Sequence, residues 1–456
     1  MLKKRKYDYD LIVIGSGAGG SVGAHHAASL GKRVAIFESG AIGGECPNFA
    51  CVPTKALLHV ANLYQQANDA SLFGLDIQKV TIDYHKIHSW KNLVVSRTGA
   101  AHGKEAFEKS GIDIIEYKAE FISPHEVTAG GKTYSARHFL IATGSKVFIP
   151  PIPGLTDSGY ITFKKAVNFT TLPSSILIFG GGAVGCELAH VFASFGVKVT
   201  LVNRSDRILS KEDKEVSDLV EALFESENIN VLTNTTMLQV EKRGDTKLVT
   251  LHIGREEFKH EFDEILIATG KVPVLDFAPE KAGIKVINGR LKVNRFLQTS
   301  ALHIFAAGDI VGPYLFTHTG YYQSYIAAKN AFSYKMTIPD YRSVPRCVFI
   351  QPEVASVGMS EEDARENGIL IKKGIVGTAV VGRANTTNEM DGFVKVITDK
   401  KGVIIGGSII APSAGEMIHE LALAVKLRVK AQVLADMPHA YPTFSEAIKI
   451  ACSNIV

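Results

Sequence analysis

The residues whose types and spacing carry chemistry are Cys46 and Cys51, five positions apart in GGECPNFACVPTK, residues 43 to 55. A disulfide needs α-carbons about 4.4 to 6.8 Å apart, which a helical start or a tight turn between the two can supply. Two unrelated buried cysteines acting as small hydrophobes fit the bare spacing as well. The flanks favour redox use. Gly43 and Gly44 admit a backbone or a flat ligand, Pro47 suits a first helical turn, and Lys55 puts a cation one turn beyond Cys51. A nearby cation favours the thiolate, which is the reactive form.

The rest of the composition limits what this pair can serve. A chain of 456 residues, 46% hydrophobic, fills several cores, about three domains at roughly 150 residues each. The net charge of +4, with no long basic stripe interleaved with aromatics, gives no case for nucleic acid. The basic KKRK at residues 3 to 6 reads as a solvated leader. The LIVIG that follows is too short for a signal-peptide core or a membrane span, so a cytoplasmic protein without membrane partners is expected. Five cysteines are not a secreted disulfide framework, and in a reducing compartment such a pair is more often catalytic, redox-sensing or metal-binding than structural. No second pair or histidine cluster accompanies it, so no metal site is expected. His85 and His88 read as polar positions on a helix, and Trp90 as packing.

The elements that position the pair begin before it. Residues 8 to 14 form an apolar strand, Gly15 to Gly20 reads GSGAGG, a small-residue helix follows, and a second strand ends at Glu38. In this context Gly15 makes the tight turn, Gly17 lets a pyrophosphate approach the helix N-terminus, Gly20 allows close packing of helix on strand, and Glu38 receives a ribose. Residues 56 to 110 read as helical and 112 to 147 as short alternating strands, the last ending in Thr143, Gly144 and Ser145. PPIPG at 150 to 154 marks a domain crossing.

A second unit repeats the first. Strand 176 to 179 leads into Gly180, Gly182 and Gly185 of GGGAVG, then a helix and another strand. This internal repeat argues for two dinucleotides. Twenty-three residues beyond Gly180 stands Asn203, where the same count from Gly15 gives Glu38, and Arg204 and Arg207 follow. Loss of the carboxylate and gain of arginine suit a 2′-phosphate, so the second site is expected to prefer NADPH over NADH. EILIATGK repeats FLIATGS and ends in Thr269 and Gly270, and IFAAGDIVG sets Asp309 after a further strand.

With these motifs in order, the chain resembles, over nearly its whole length, the class I pyridine nucleotide-disulfide oxidoreductases, the flavoproteins that include dihydrolipoamide dehydrogenase, glutathione reductase and mercuric reductase. The resemblance implies an α/β fold with two Rossmann-like dinucleotide-binding domains and a C-terminal α+β dimerisation domain. It implies an FAD domain at 1–150 continued at 274–340, an NAD(P)H domain at 151–273, an interface domain at 341–456, and a homodimer. FAD would then contact Gly15, Gly17, Gly20, Glu38, Lys55, Thr143, Gly144 and Asp309, and Glu187 would pair with Lys55. Electrons would pass from NADPH (or NADH) through FAD to a Cys46–Cys51 redox-active disulfide, with Cys51 on the flavin side and Cys46 meeting a small-molecule acceptor.

Three departures from the family pattern bear on that acceptor. The C-terminal HPTxxE, whose histidine moves protons, reads here H-A-Y-P-T-F-S-E from His439 to Glu446, with Tyr441 in the histidine's place and Glu446 retained. A phenol of ordinary pKa about 10 is a poor base at neutral pH. His439 can substitute only by reaching in from two positions upstream, and a surface or capping role is expected for it. Ala50 replaces a glycine before Cys51, and Cys452 stands where mercuric reductases carry a cysteine pair. The expected activity is NADPH-dependent reduction of a small disulfide, an oxidised sulfur compound or a soft metal; dihydrolipoamide dehydrogenase is the alternative, and a slowly turning flavin-bound redox sensor a further one.

Overall fold

The computed structural model describes residues 6–98 and 103–455 and divides into two compact units. The start of the basic leader, residues 3 to 5, lies outside the described residues, as do positions 99–102 of the stretch expected to be helical. The first unit gathers Met1–Ala56, His88–Phe148 and Gly270–Pro339; the second gathers Leu57–Ile87, Ile149–Thr269 and Asp340–Val456.

In the first unit, Ile112–Ile115, Val34–Phe37, Tyr9–Ile14 and Lys132–Ile141 lie side by side in parallel, with Ile304–Ala306 added in parallel to Lys132–Ile141. Successive strand residues face opposite sides of a sheet. Leu11 and Val13 accordingly enter one core with Ala24, Ala27 and Ile326, whereas Ile12 and Ile14 enter another with Phe121, Phe139 and Phe277. Burial on both faces is why this strand reads as an unbroken apolar run.

The helical expectation for 56 to 110 holds only in pieces: Cys51–Asn68, Tyr84–Arg97 and Gly103–Lys109, with a short 3₁₀ turn at Asp69–Phe73. Gly74 takes φ +80° and closes that turn, the usual left-handed stop, and residues 75 to 83 form no regular element. Trp90 is 38% exposed, with the Arg97 guanidinium 5.8 Å above its ring, so it covers a helix surface and is not core packing.

The second unit carries the repeat. Ser175–Phe179, Lys198–Val202, Asn230–Leu232 and Glu264–Ile267 form a parallel sheet, beside an antiparallel sheet spanning Thr235 to Phe262. Its C-terminal part is a five-stranded antiparallel sheet running from Pro345–Val348 to Ile404–Ala411, whose Val394, Val396 and Ile409 share a core with Ile418 and Leu421 of helix Ala414–Leu427 and with Ile448 of helix Glu446–Ser453. No helix among the described residues is long and apolar enough to cross a membrane.

Candidate active site

The first glycine turn is fixed by sterics. Gly15 has φ +106°, and a Cβ there would lie 2.3 Å from the Ala142 carbonyl oxygen; at Gly20 it would lie 2.0 Å from the Gly15 oxygen. Helix Ala18–Ser29 starts at Gly17 with no side-chain cap, so its first N–H groups are available to an anion. Glu38 Oε2 accepts from the Ser16 N–H at 2.9 Å and the Ser16 hydroxyl at 2.7 Å, while Oε1 accepts from Gly40 N–H at 2.8 Å. A carboxylate has about four lone-pair sites, so a position remains for a ribose hydroxyl.

The cysteine turn is seated on this one. Gly43 N–H donates to the Ser16 hydroxyl at 2.9 Å, and Gly44, at φ +74°, comes so near that a Cβ on it would lie 2.9 Å from Gly17 Cα. The approach that the two glycines permit is therefore to the dinucleotide turn itself. Cys46 lies in the short helix Glu45–Phe49, and Cys51 is the first residue of helix Cys51–Asn68. Ala50 between them has φ −124°, so replacing glycine there costs no left-handed strain.

Both cysteines are half-buried thiols. The hydrogen bond between them raises Cys46 well above the ordinary thiol range, and burial and the charge of Cys51 add to it; Thr317 and Lys55 pull the other way. When the pair carries one negative charge its sulfurs share one proton, and the geometry around Cys51 favours the charge there. Three features favour that charge. Cys51 heads an 18-residue helix, Thr317 heads helix Thr317–Phe332 with its hydroxyl 3.5 Å from Cys51 Sγ, and both N-termini present positive dipole ends. Lys55, four residues on from Cys51, shares its helix face.

Sequence reasoning missed Lys271, Glu45, Thr317 and Tyr321. The Lys271 ammonium lies 2.7 Å from Glu45 and 3.6 Å from Asp309. Burial opposes its charge, but Glu45, Asp309 and Cys51 together raise its pKa. Asp309 also accepts from the Ser145 hydroxyl at 2.6 Å, and Thr143 donates to the Val274 carbonyl at 2.8 Å, so both flank the same turn; Gly144 and Gly270 take φ +69° and +107°. The Tyr321 phenol is pushed up by burial and by the cysteine charges. Lys271 directly follows the second ATG, a legible signal; Tyr321 had none.

The second turn repeats the first in the second unit. Gly180 has φ +125°, with a Cβ position 2.4 Å from the Ala268 oxygen, and a Cβ at Gly185 would lie 1.9 Å from the Gly180 oxygen. Around Gly182 nothing lies within 4 Å of such an atom. Asn203 accepts from Gly181 N–H at 3.1 Å and donates to the Arg207 carbonyl at 2.7 Å. It thus takes over the bracing that Glu38 performs, without the charge. Arg204 is exposed, whereas Arg207 turns to Glu362 at 3.3 Å. Glu187 is 5% exposed and accepts from Phe349 N–H at 3.1 Å.

The C-terminal residues of the second unit divide differently from expectation. The His439 side chain is 5% exposed, not a surface or capping group, with Nε2 3.1 Å from Glu420 and Nδ1 3.1 Å from the Met437 carbonyl. Tyr441 is 77% exposed and rests against Gly382, where a Cβ would meet its hydroxyl at 2.9 Å. Glu446 accepts from Thr443 N–H at 3.3 Å. Cys452 is buried, its thiol pushed up to about 12 by burial and Glu420, which makes it unreactive.

Comparison with known proteins agrees with this geometry. Residues 9–331 match the pyridine nucleotide-disulphide oxidoreductase family and residues 344–452 its dimerisation domain. The chain is 35% identical over 447 residues to a dihydrolipoyl dehydrogenase of Geobacillus stearothermophilus, covering 96% of this chain and 94% of that one. It is 32% identical over 451 residues to a mercuric reductase of Staphylococcus aureus, covering 98% and 82%. Among solved structures it resembles the HOCl-induced flavoprotein disulfide reductase RclA from Escherichia coli, with TM-score 0.87, 29% identity and coverage of 98% and 99%. A Cu(II) complex of that reductase aligns with TM-score 0.86, 29% identity and 99% coverage of both chains. A thiol pair seated on a dinucleotide turn, that turn repeated in a second unit, and matches spanning both family segments lead to one conclusion: the chain belongs to the class I pyridine nucleotide-disulfide oxidoreductases, enzymes that use FAD and a nicotinamide dinucleotide.

Proposed function

We propose that this chain is an NADPH-dependent flavoprotein reductase, working as a homodimer, that delivers electrons through Cys46 and Cys51 to a soft metal ion, with small disulfides as slower acceptors. The observation that carries the reading is the hydrogen-bonded thiol pair held against the first dinucleotide turn by Gly43 and Gly44. FAD, when bound, supplies hydride acceptance from the nicotinamide and delivery of an electron pair to sulfur. Gly15, Gly17, Gly20, Glu38, Thr143, Gly144 and Asp309 hold it; Lys55, Lys271 and the two helix N-termini favour charge on Cys51; Cys46 meets the acceptor.

The missing histidine selects among acceptors. Reducing a disulfide takes a proton from the attacking thiol and returns one to the leaving thiolate, which calls for a positioned group that is both base and acid, such as the family's histidine. Tyr441 is a poor substitute, and both His439 ring nitrogens already face acceptors. A soft ion needs no proton, only thiolate ligands. The Cu(II) complex of the reductase from Escherichia coli lends this support. Exposed Leu423, Leu427 and Val433 offer the dimer an apolar face.

The test is anaerobic NADPH oxidation with Cu(II), a small disulfide and oxidised lipoamide as acceptors. Cu(II), two ions reduced to the soft Cu(I) for each NADPH oxidised, should turn over fastest, and Tyr441→His should raise disulfide turnover by about 10²-fold, adding a pH limb at about 6.5. Faster lipoamide than Cu(II) turnover in the wild type would favour dihydrolipoamide dehydrogenase, the reading that 35% identity supports. Flavin reduction without turnover of any acceptor would favour a sensor.

Nucleotide preference follows from Arg204 and Asn203. Because Asn203 is used on Gly181 and Arg207, its contribution is the absence of repulsion, and Arg204 supplies the attraction. Arg204→Ala should weaken NADPH binding about 10- to 100-fold, the scale of a charge-assisted hydrogen bond, and leave NADH unchanged. Equal flavin reduction by both nucleotides in the wild type would reject the assignment.

A further inference from the structure

The loop that follows strand Lys198–Val202 is held at both ends. At its start, Asn203 grips the second glycine turn, and Leu209 N–H donates to the Gly181 carbonyl at 2.8 Å. The fit is close, since a Cβ at Gly181 would lie 2.7 Å from the Ile208 side chain. At its far end, Glu212 and Asp213 are 9% and 5% exposed, and both are taken up by the C-terminal sheet. Arg346 reaches Glu212 at 3.2 Å through Nε and 3.3 Å through Nη2, and Ser356 donates to the same carboxylate.

Lys395 is the centre of this anchorage. It projects from strand Phe393–Asp399 with its side chain wholly buried, and its ammonium meets Asp213 at 3.2 Å, Glu215 at 3.0 Å and Glu361. Asp213 also accepts from Glu361 N–H at 2.9 Å. Glu361 opens the short helix whose next residue, Glu362, holds Arg207. A single ammonium thus gathers three carboxylates from the loop, the helix Lys214–Ser226 behind it and the C-terminal module. Lys373 also meets Glu215 at 3.7 Å and Glu361 at 2.8 Å, but of the two ammonium groups Lys395 is the one that reaches the buried Asp213. Without it Asp213 is left facing Glu215 and Glu361, and the loop carrying Asn203, Arg204 and Arg207 loses that part of its far anchor.

We propose that Lys395 is a positioning residue for the nicotinamide dinucleotide: the C-terminal module, through Lys395 and Arg346, sets the loop that distinguishes NADPH from NADH. The proposal rests on the assignment of that dinucleotide to the second glycine turn. Lys395 touches no reacting atom; it acts through the loop. Because Arg204 is the group assigned above to a 2′-phosphate, loosening the loop penalises NADPH more than NADH. A residue that only held the fold would not alter this ratio.

The experiment is anaerobic stopped-flow reduction of the FAD-loaded enzyme by NADPH and by NADH, comparing wild type, Lys395→Gln and Glu215→Gln. Lys395→Gln should raise the NADPH dissociation constant about tenfold, a typical coupling between separate sites, with the limiting reduction rate and the NADH constant near wild type. Glu215 is 42% exposed, so Glu215→Gln keeps the fold, and about a threefold rise in the same constant is expected. An unchanged NADPH to NADH ratio in FAD-loaded Lys395→Gln would overturn the proposal. If Lys395→Gln fails to hold FAD, an unchanged ratio in Glu215→Gln overturns it instead. Wild-type enzyme reduced by neither nucleotide would reject the dinucleotide assignment, a different result from either.

Discussion

Cys46→Ser is expected to abolish reduction of Cu(II) and of small disulfides, with kcat/KM falling by at least about 10⁴-fold, the scale on which loss of a reacting nucleophile is felt. FAD should remain bound and NADPH should still bleach it. Cys51→Ser should lose turnover to the same degree and, in addition, the long-wavelength absorbance of a thiolate beside the flavin, which Cys46→Ser retains. The asymmetry follows from the site. The hydrogen bond that the Cys46 thiol donates to Cys51 is the main reason that Cys46 is raised, and the dipoles of two helices and Lys55 favour charge at Cys51. Cys186 and Cys452 serve as controls: both are buried with raised thiols, so serine at either should leave turnover intact in the folded enzyme. Anaerobic NADPH titration followed by absorbance, then acceptor addition, separates these outcomes. Retained turnover in Cys46→Ser would remove the dithiol from the mechanism, and loss of the long-wavelength band in Cys46→Ser alone would exchange the two roles.

What was legible in the sequence is what local chain geometry enforces. A strand, a glycine turn and a helix impose their own residue types, because Gly15 and Gly180 meet the carbonyls of Ala142 and Ala268, which lie just before the glycines of the two ATG strands. The repeated motif was therefore readable twice. The cation beside the dithiol was not. Lys271 finds Glu45 across 226 residues of chain, and the sequence marks neither as the other's partner. Asn203 was read for its missing charge, but its bracing of Gly181 emerges only in three dimensions. Arg207 was read with Arg204 as a phosphate ligand, yet Glu362, 155 residues away, has drawn it aside. For His439 a surface or capping place is the sequence expectation; Glu420, on helix Ala414–Leu427, draws it inward. Each shortfall is a long-range polar contact, for which sequence carries residue type but no address.

The glycine turns allow a test that separates packing from ligand approach. In Gly20→Ala the new methyl would lie 2.0 Å from the Gly15 oxygen and 2.9 Å from Val13. Gly15 cannot retreat, because its own α-carbon already faces the Ala142 carbonyl. Helix Ala18–Ser29 must therefore lift from its strand, at an overpacking cost of about 1–3 kcal/mol or more, and FAD affinity should fall about 10- to 100-fold. Gly185→Ala imposes the same clash in the second unit, 1.9 Å from the Gly180 oxygen, so the enzyme should stay yellow and lose NADPH binding to a similar degree. Gly182→Ala meets no protein atom within 4 Å, so its thermal unfolding should match wild type. Its methyl nonetheless stands at the uncapped start of helix Ala183–Ser194, where a pyrophosphate would approach. A raised NADPH dissociation constant without any loss of stability would locate the dinucleotide at that turn. Wild-type NADPH binding by Gly182→Ala, with Gly185→Ala impaired only in stability, would show that the glycines serve packing alone and that the dinucleotide lies elsewhere.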